Sequence, residues 1–245
     1  MENNNNDSDM PLIQHLEALR ECLIKSVSAI LILSPLGFYF APKTIDFLIH
    51  NSMPSNMVKL HYFSPMEAFI IQLKTALVLS VIFAFPYIIY RIKKFILPAL
   101  YEHERKFLFR IIFLSSSLFI IGALFCVFMI LPLIMNFSAG FMTENLEATL
   151  GLNNFISLAS GLILAFGAMF QFPLFVVVLV KFNIIETKTL EHLRPYIIVF
   201  ILILAAIFTP PDIVSQLMLF IPTWLLFEAG LIASKLIENK TKDPE

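Results

Sequence analysis

The sequence has 245 residues, of which 58% are apolar, 13% aromatic and 14% charged. Soluble globular domains average about 25% charged residues, so this composition excludes an ordinary soluble domain, and it also excludes a disordered chain and a disulfide scaffold. The formal net charge of −1 says little, because the orientation of a membrane protein depends on which side of the bilayer its basic residues occupy and not on the total charge. The composition therefore predicts an all-α, polytopic membrane protein.

The chain divides into a polar N-terminal segment at 1–10, predicted to be disordered, a membrane domain at 11–235 and a polar tail at 236–245. The N-terminal segment lacks the basic region of a secretory signal, so the first apolar run is expected to remain as a span. Six apolar runs predict six transmembrane helices, since each span needs roughly 20 apolar residues. They are Cys22–Phe40, Phe69–Tyr90, Ile111–Leu133, Phe155–Val180, Tyr196–Phe208 and Ile213–Ala233.

The last two spans are predicted to be short. Tyr196–Phe208 has 13 residues, which reach about 20 Å as a helix, less than a hydrocarbon core of about 30 Å. The next span has an uninterrupted apolar stretch, Leu217–Phe227, of 11 residues. Pro210 and Pro211 between them cannot extend either helix because proline lacks an amide donor. Two interpretations stay open: a locally thinned bilayer, or a hairpin buried by the other helices.

Basic residues indicate the orientation. Fourteen of the 17 lysines and arginines fall near the N-terminus (Arg20 and Lys25), in the loops after the second and fourth spans, and at the C-terminal end from Lys235 onwards, whereas Lys43, Lys59 and Lys74 fall on the other side. By the positive-inside rule, both termini are predicted to be cytoplasmic.

Polar residues within the spans are few. No ionisable residue lies at the centre of a predicted span; Lys74 lies near the outer end of the second and Glu228 near the inner end of the sixth. This disfavours an ion-coupled transporter, which generally uses intramembrane carboxylates or histidines. Gln171 does lie inside the fourth span, and it could hydrogen-bond a partner helix or another helix of its own chain.

Two cytoplasmic acids are candidates for binding. Glu17 lies in an amphipathic stretch, and Glu104 lies at the tip of the longest basic loop. They could be solvated acids that pair locally with Arg20 and Arg105, or they could form a carboxylate site for a basic peptide, since arginine pairs bidentately with carboxylates.

Five separated motifs, spread from about Pro11 to Lys235, resemble the TatC family, the multi-spanning receptor of the twin-arginine protein translocase. Four are continuous or nearly so: His15–Arg20, Ser64–Phe69, Phe95–Arg105, and Ala165–Gly167 with Phe170–Pro173. The fifth comprises Thr209–Asp212, Ser215–Gln216 and Phe227–Glu228.

The resemblance implies a curved, glove-like bundle of six helices and a receptor, not an enzyme, for folded precursors whose signal peptides carry paired arginines. It implies no metal, cofactor or nucleic acid. Implied partners are TatA- and TatB-type single-span proteins and further copies of the chain, in an energy-transducing inner membrane, with transport driven by the proton-motive force. Glu17, Arg20, Phe95 and Glu104 would bind the signal peptide, and Phe170, Gln171 and Pro173 would contact a partner helix. The implied structural cap on the periplasmic side comprises Pro65, Glu67, Phe69, Pro210, Pro211, Asp212 and Gln216.

The sequence departs from the family pattern at two acids. The family's amino-terminal carboxylate falls on Ala18, so that Glu17 stands one position earlier, about 100° round a helix. The family's intramembrane glutamate falls on Gln171, which keeps the hydrogen bonding but not the charge. These changes predict an altered signal-peptide preference. The alternatives are a structural scaffold for partner helices that binds no cargo, and a small-molecule transporter.

Overall fold

The computed structural model describes residues 10–53, 60–96, 105–140, 151–181, 184–208 and 213–242. Apart from one isolated bridge between His61 and Gly151, the regular structure in these ranges is helical. The α-helices are α1 Met10–Ser52, α2 Pro65–Ile96, α3 Arg105–Phe125, α4 Leu131–Ala139, α5 Leu152–Met169, α6 Phe172–Lys181, α7 Thr187–His192, α8 Arg194–Phe208 and α9 Ile213–Lys242.

The six predicted spans are confirmed as helical segments. Five apolar segments are long enough to cross a membrane, and the apolar helix α8 is shorter. The five are Leu16–Ser52, Pro65–Ile92, Arg110–Ala139, Leu152–Lys181 and Gln216–Leu236.

The third span is one continuous helix with a π turn, Cys126–Ile130, between α3 and α4. A π turn loosens the regular ladder of backbone hydrogen bonds. The side-chain amide of Asn51 donates to the Val127 carbonyl at 2.8 Å. This bond ties the end of α1 to the third span.

The fourth span breaks between α5 and α6. Pro173 has no amide hydrogen to donate to the carbonyl of Met169, four residues earlier. The chain tightens instead, and the Gln171 amide donates to Ala168 O at 3.0 Å. The Gly167 carbonyl is thereby left without its usual helical donor.

The prediction of short final helices holds for α8, with 15 residues, and must be corrected for α9, which has 30. The charged residues after the apolar segment continue α9 because they pair with the preceding connection. Lys235 forms an ion pair with Glu191, and Thr187 donates to Glu238 at 2.6 Å. Only the part of α9 before Glu228, residues 213–227, is as short as α8.

The helices pack in sequence around two apolar clusters. α1 packs mainly on α2, α2 also packs on α3 and α5, and α9 packs on α6 and α8. Glycines allow the closest approaches: a Cβ on Gly37 would lie 2.3 Å from Ala76 O, and one on Gly230 would lie 2.7 Å from Pro173 Cα. The larger cluster joins α1 to α5 with residues of α8 and α9, and the smaller joins α6, α7 and α9.

Two ends of the bundle are distinguished by their polar contacts. At one end, here called the Arg91 end, Arg91 contacts Glu21 and Arg194 contacts Glu228. At the other, here called the Glu67 end, Glu67 accepts a hydrogen bond from the amide of Asn153 at the start of α5. The α1 helix runs from the Arg91 end to the Glu67 end, and α2 returns.

Candidate functional site

A cluster of charges joins α1 to α2 at the Arg91 end. Glu21 Oε1 accepts from the ammonium of Lys25, one turn along α1, and from Arg91 Nη2 at 3.3 Å. The Arg91 side chain is only 11% exposed, whereas that of Glu21 is 55% exposed. Two cations therefore share one carboxylate oxygen, and Arg91 fixes the last turns of α2 against the start of α1.

Glu17 and Arg20 lie beyond this cluster on the same face of α1. Glu17, Arg20, Glu21 and Ile24 follow helical spacing and line one open cleft together with Ala18. Both Glu17 and Arg20 are exposed. Within the described residues no ion pair joins them. Among the described residues, no hydrogen bond or ion pair involves the Glu17 carboxylate, whereas Oε1 of Glu21 already pairs with both Lys25 and Arg91.

Phe95, one of the two site residues predicted on the first loop, lies at the same end. Phe95 occupies the last turn of α2, one turn beyond Arg91, just as Glu17 lies one turn beyond Glu21. A turn advances about 5.4 Å, so the two positions lie at similar heights. Glu104 lies outside the described residues, directly before the start of α3 at Arg105.

Gln171 lies at the break between α5 and α6, and its amide is bound within the chain. Its Oε1 accepts from the Ser115 hydroxyl of α3 at 2.5 Å, and its Nε2 donates to Ser115 O at 3.2 Å and to Gly167 O at 3.3 Å. The Gly167 carbonyl is the one that the helix break leaves without a donor. An amide fits this position because it can donate and accept, whereas a carboxylate can only accept.

The two neighbours of Gln171 also contact helices of their own chain. The Phe170 ring centroid lies 5.6 Å from that of Phe125 in α3. The Pro173 backbone lies against Gly230 of α9. The three predicted partner-helix residues thus form a junction between α3, α6 and α9.

A second polar group organises the Glu67 end. The Glu67 carboxylate accepts from the Phe63 amide at 2.7 Å and from the Asn153 amide at 3.3 Å. Glu67 lies in the first turn of α2, which begins at Pro65, where a negative charge is favourable. Lys74 donates to Asn153 Oδ1 at 2.8 Å and to Ser157 at 2.9 Å. These contacts hold α2 against α5.

Two of the remaining cap residues, Phe69 and Gln216, lie within the described ranges. Phe69 is exposed, and its ring centroid lies 6.3 Å from that of Phe38 in α1. Gln216 donates to Leu202 O at 3.0 Å and joins α9 to α8. Pro210, Pro211 and Asp212 lie outside the described residues.

Ion pairs also hold the connection before α8. Arg194 Nη2 lies 2.9 Å from Glu228 Oε2. A hydrogen bond from Lys235 to the half-buried Glu191 lowers the pKa of that carboxyl below its ordinary value. In the part of the chain that the structure describes, histidine, cysteine and acidic side chains form no group that could hold a metal ion.

Comparison with known proteins decides the family. The family model described as "Sec-independent protein translocase protein (TatC)" matches residues 14–222. The chain belongs to the TatC family. The TatC relative from Aquifex aeolicus is 38% identical over 239 residues, which cover 96% of this chain and 98% of the relative. The TatC relative from Escherichia coli K12 is 32% identical over 244 residues, which cover 98% and 93%.

Solved structures of TatC share the fold. A crystal structure of the twin-arginine translocase receptor TatC is 36% identical, with a TM-score of 0.81, and covers 91% of this chain and 98% of that one. A second, determined in DDM, is 37% identical with a TM-score of 0.82 and covers 90% and 99%. The TatC family is a translocase receptor subunit rather than an enzyme, so the chain is a multi-pass membrane protein of protein transport.

Sequence reasoning missed three residues that organise these sites. Ser115, Glu21 and Arg91 make the contacts that hold Gln171 and the start of α1. The partners of these contacts are 56 and 70 residues apart in the sequence, so no local spacing indicates them. Hydroxyl and amide residues inside apolar runs were the available signal, since they seek partners in other helices.

Proposed function

We propose that the chain recognises paired-arginine signal peptides of folded precursors at the Arg91 end. The observation that carries the proposal is the exposed carboxylate of Glu17, which has no ion pair within the described ranges and shares a cleft with Arg20 next to the end of α2. Glu104, directly before α3, supplies the second carboxylate. One carboxylate for each arginine suits bidentate pairing.

The occupied Glu21 supports this division of roles. Its carboxylate already binds Lys25 and Arg91, so it positions the helices rather than the ligand. Phe95 lies one turn beyond Arg91 in α2, and we assign it to the same peptide site because arginine stacks readily on aromatic faces.

The bundle also suits single-span partners of the TatA and TatB type and further copies of the chain in the bilayer. The face around Phe170, Gln171 and Pro173 is partly exposed and lies between helices of both apolar clusters. A partner helix there would meet an amide whose hydrogens are already donated, so its polar group would donate to the remaining lone pair of Gln171. Such partners would couple transport to the proton-motive force.

The orientation follows from the charges. Fourteen of the 17 basic residues fall in segments assigned to one side, and the positive-inside rule places that side in the cytoplasm. Both termini and the peptide site would then be cytoplasmic, with the Glu67 end periplasmic, in an energy-transducing inner membrane of bacterial type.

Binding of a paired-arginine peptide to purified protein in nanodiscs tests the site. Glu104→Ala is expected to abolish binding, and Glu17→Gln to weaken it at least tenfold, because a hydrogen bond to a charged group contributes about 1.5–3 kcal/mol. Lys240→Ala, which changes a charge in the tail, is the control. Equal affinity in all three variants would remove the proposed site.

Ala18→Glu tests how the family's usual acid relates to Glu17. The variant is expected to strengthen peptide binding, because position 18 lines the same cleft and a second carboxylate would pair with the arginines. Unchanged or weaker affinity would show that Glu17 has taken over this role. Partner copurification with no peptide affinity would favour the scaffold function instead.

A further inference from the structure

A groove between α1 and α2 opens near the charge cluster at the Arg91 end. Its volume is about 360 Å³. On α1 it is lined by Lys25, Ser28, Ala29, Ile32 and Leu33, which follow one helical face over about 12 Å. On α2 it is lined by Phe83, Ala84 and Tyr87. A basic side chain therefore stands at one end of an otherwise mostly apolar channel.

The groove lies between two points at which α1 and α2 are joined. At Gly37 they are in backbone contact, since a Cβ there would lie 2.3 Å from Ala76 O. Towards the Arg91 end, Glu21 Oε1 of α1 lies 3.3 Å from Arg91 Nη2 of α2. A groove of about 360 Å³ suits a flexible hydrocarbon chain better than a second helix, whose diameter with side chains is about 10 Å.

The Ser28 hydroxyl on the groove wall does not need a hydrogen-bond partner from a ligand. The Ser28 hydroxyl donates to Ile24 O at 2.7 Å, so it is satisfied within α1. Ala84 is fully buried and forms part of the floor, whereas Ile32 is 76% exposed and Phe83 is 42% exposed. The walls therefore present apolar surface to the bilayer.

The charges at the open end favour an anion. Lys25 and Arg91 share the single carboxylate of Glu21, so the cluster has an excess of one positive charge. Lys25 is about half exposed, and it lies in the first turn of the predicted apolar run, where a lysine ammonium can reach the headgroup region. Basic pockets between transmembrane helices bind acidic lipid headgroups.

We infer that this groove binds one acidic phospholipid from the leaflet at the Arg91 end. Its phosphate lies at Lys25, and one acyl chain lies along Ile32 and Phe83. The groove and the peptide cleft are lined by different residues and adjoin at Glu21, which lines the cleft and pairs with Lys25 of the groove.

Native mass spectrometry of the full chain, purified from equimolar phosphatidylglycerol and phosphatidylcholine, tests this inference. Wild type is expected to retain phosphatidylglycerol preferentially. Lys25→Gln is expected to lower the affinity for that lipid about fivefold, because each basic residue near an anionic surface contributes about 1 kcal/mol of attraction. Lys235→Gln is the matched control, because Lys235 is equally exposed and also pairs with a glutamate. Both variants should keep wild-type phosphatidylcholine retention.

A second pair of variants tests the channel without changing charge. Ser28→Phe should fill the groove and reduce retention of both lipids, whereas Val199→Phe, on the exposed surface of α8, should not. Both positions are exposed, so the added rings should leave the thermal unfolding temperature unchanged. Equal retention of the two lipids by wild type, or the same loss in Lys25→Gln and Lys235→Gln, would overturn the inference. So would unchanged retention in Ser28→Phe.

Discussion

Ser115→Ala is expected to destabilise the protein by breaking the hydrogen bond that fastens α3 to the break between α5 and α6. The Ser115 residue is 2% exposed, and its hydroxyl lies 2.5 Å from Gln171 Oε1. Hydrogen bonds between membrane helices average about 0.6 kcal/mol and reach about 1.7 kcal/mol. The short distance and burial favour the upper part of this range.

Gln171→Ala should cost more than Ser115→Ala. It removes three hydrogen bonds, including the one that satisfies Gly167 O, so a loss of about 2 kcal/mol follows from the average value alone. The double variant should be less destabilised than the sum of the two, because one bond is counted in both. The coupling energy is expected between about 0.6 and 1.7 kcal/mol.

Unfolding by sodium dodecyl sulfate in mixed micelles, followed by circular dichroism and by the fluorescence of the single tryptophan, measures these energies. That tryptophan, Trp224, packs against the smaller apolar cluster and so reports on α9. Ser116→Ala is the matched control, since within the described ranges its hydroxyl donates to Ile112 O of its own helix, at 2.8 Å, and to no other helix. A coupling energy near zero, or equal losses in Ser115→Ala and Ser116→Ala, would refute the proposed link.

Three further changes test the packing and the polar ends. Gly230→Ala should destabilise the protein by about 1–3 kcal/mol in the same assay, because a Cβ there would meet the α6 backbone at 2.7 Å. Gly161→Ala is the control, because the space around Gly161 is open. Similar losses of stability in the two variants would contradict this packing. Lys235→Gln should raise the pKa of Glu191 in an NMR titration, because the hydrogen bond that lowers it is lost. In the wild type, the stability that this pair contributes is present at neutral pH and is lost as the pH falls through the lowered pKa. An unchanged pKa of Glu191 in the variant would rule out the pair. Glu67→Ala should cost about 1–2 kcal/mol, because two backbone amides lose their acceptor, and unchanged stability would show that water replaces the carboxylate.

The spans could be predicted from the sequence because each is a long apolar run bounded by polar residues. Helix ends could not, since the charged part of α9 is helical through tertiary pairs such as Lys235 with Glu191. The amphipathic start of α1 likewise extends the first helix back to Met10. Hydrophobic runs locate the bilayer, whereas polar contacts decide how far a helix continues beyond it.

The candidate sites were predictable only in part. Glu17 and Gln171 stand out in the sequence, one by its helical face and the other by its apolar surroundings. The contacts near these two residues depend on distant positions. Arg91 pairs with Glu21 and not with Glu17, and Ser115 donates a hydrogen bond to Gln171. Lys74, near the outer end of the second span, bonds to Asn153, 79 residues away in the sequence. The sequence marks such residues as polar groups within apolar runs, but it does not indicate which distant residue each one contacts.

Binding of a paired-arginine signal peptide, compared with its lysine–lysine counterpart, tests the receptor function most directly. Lysine keeps the charge but loses the planar fork that pairs with carboxylates, so the comparison isolates recognition from general attraction. With purified protein in nanodiscs, the arginine peptide is expected to bind more tightly by tenfold or more. Equal or absent binding of the two peptides would contradict recognition by this chain alone and would favour a scaffold that presents partner helices.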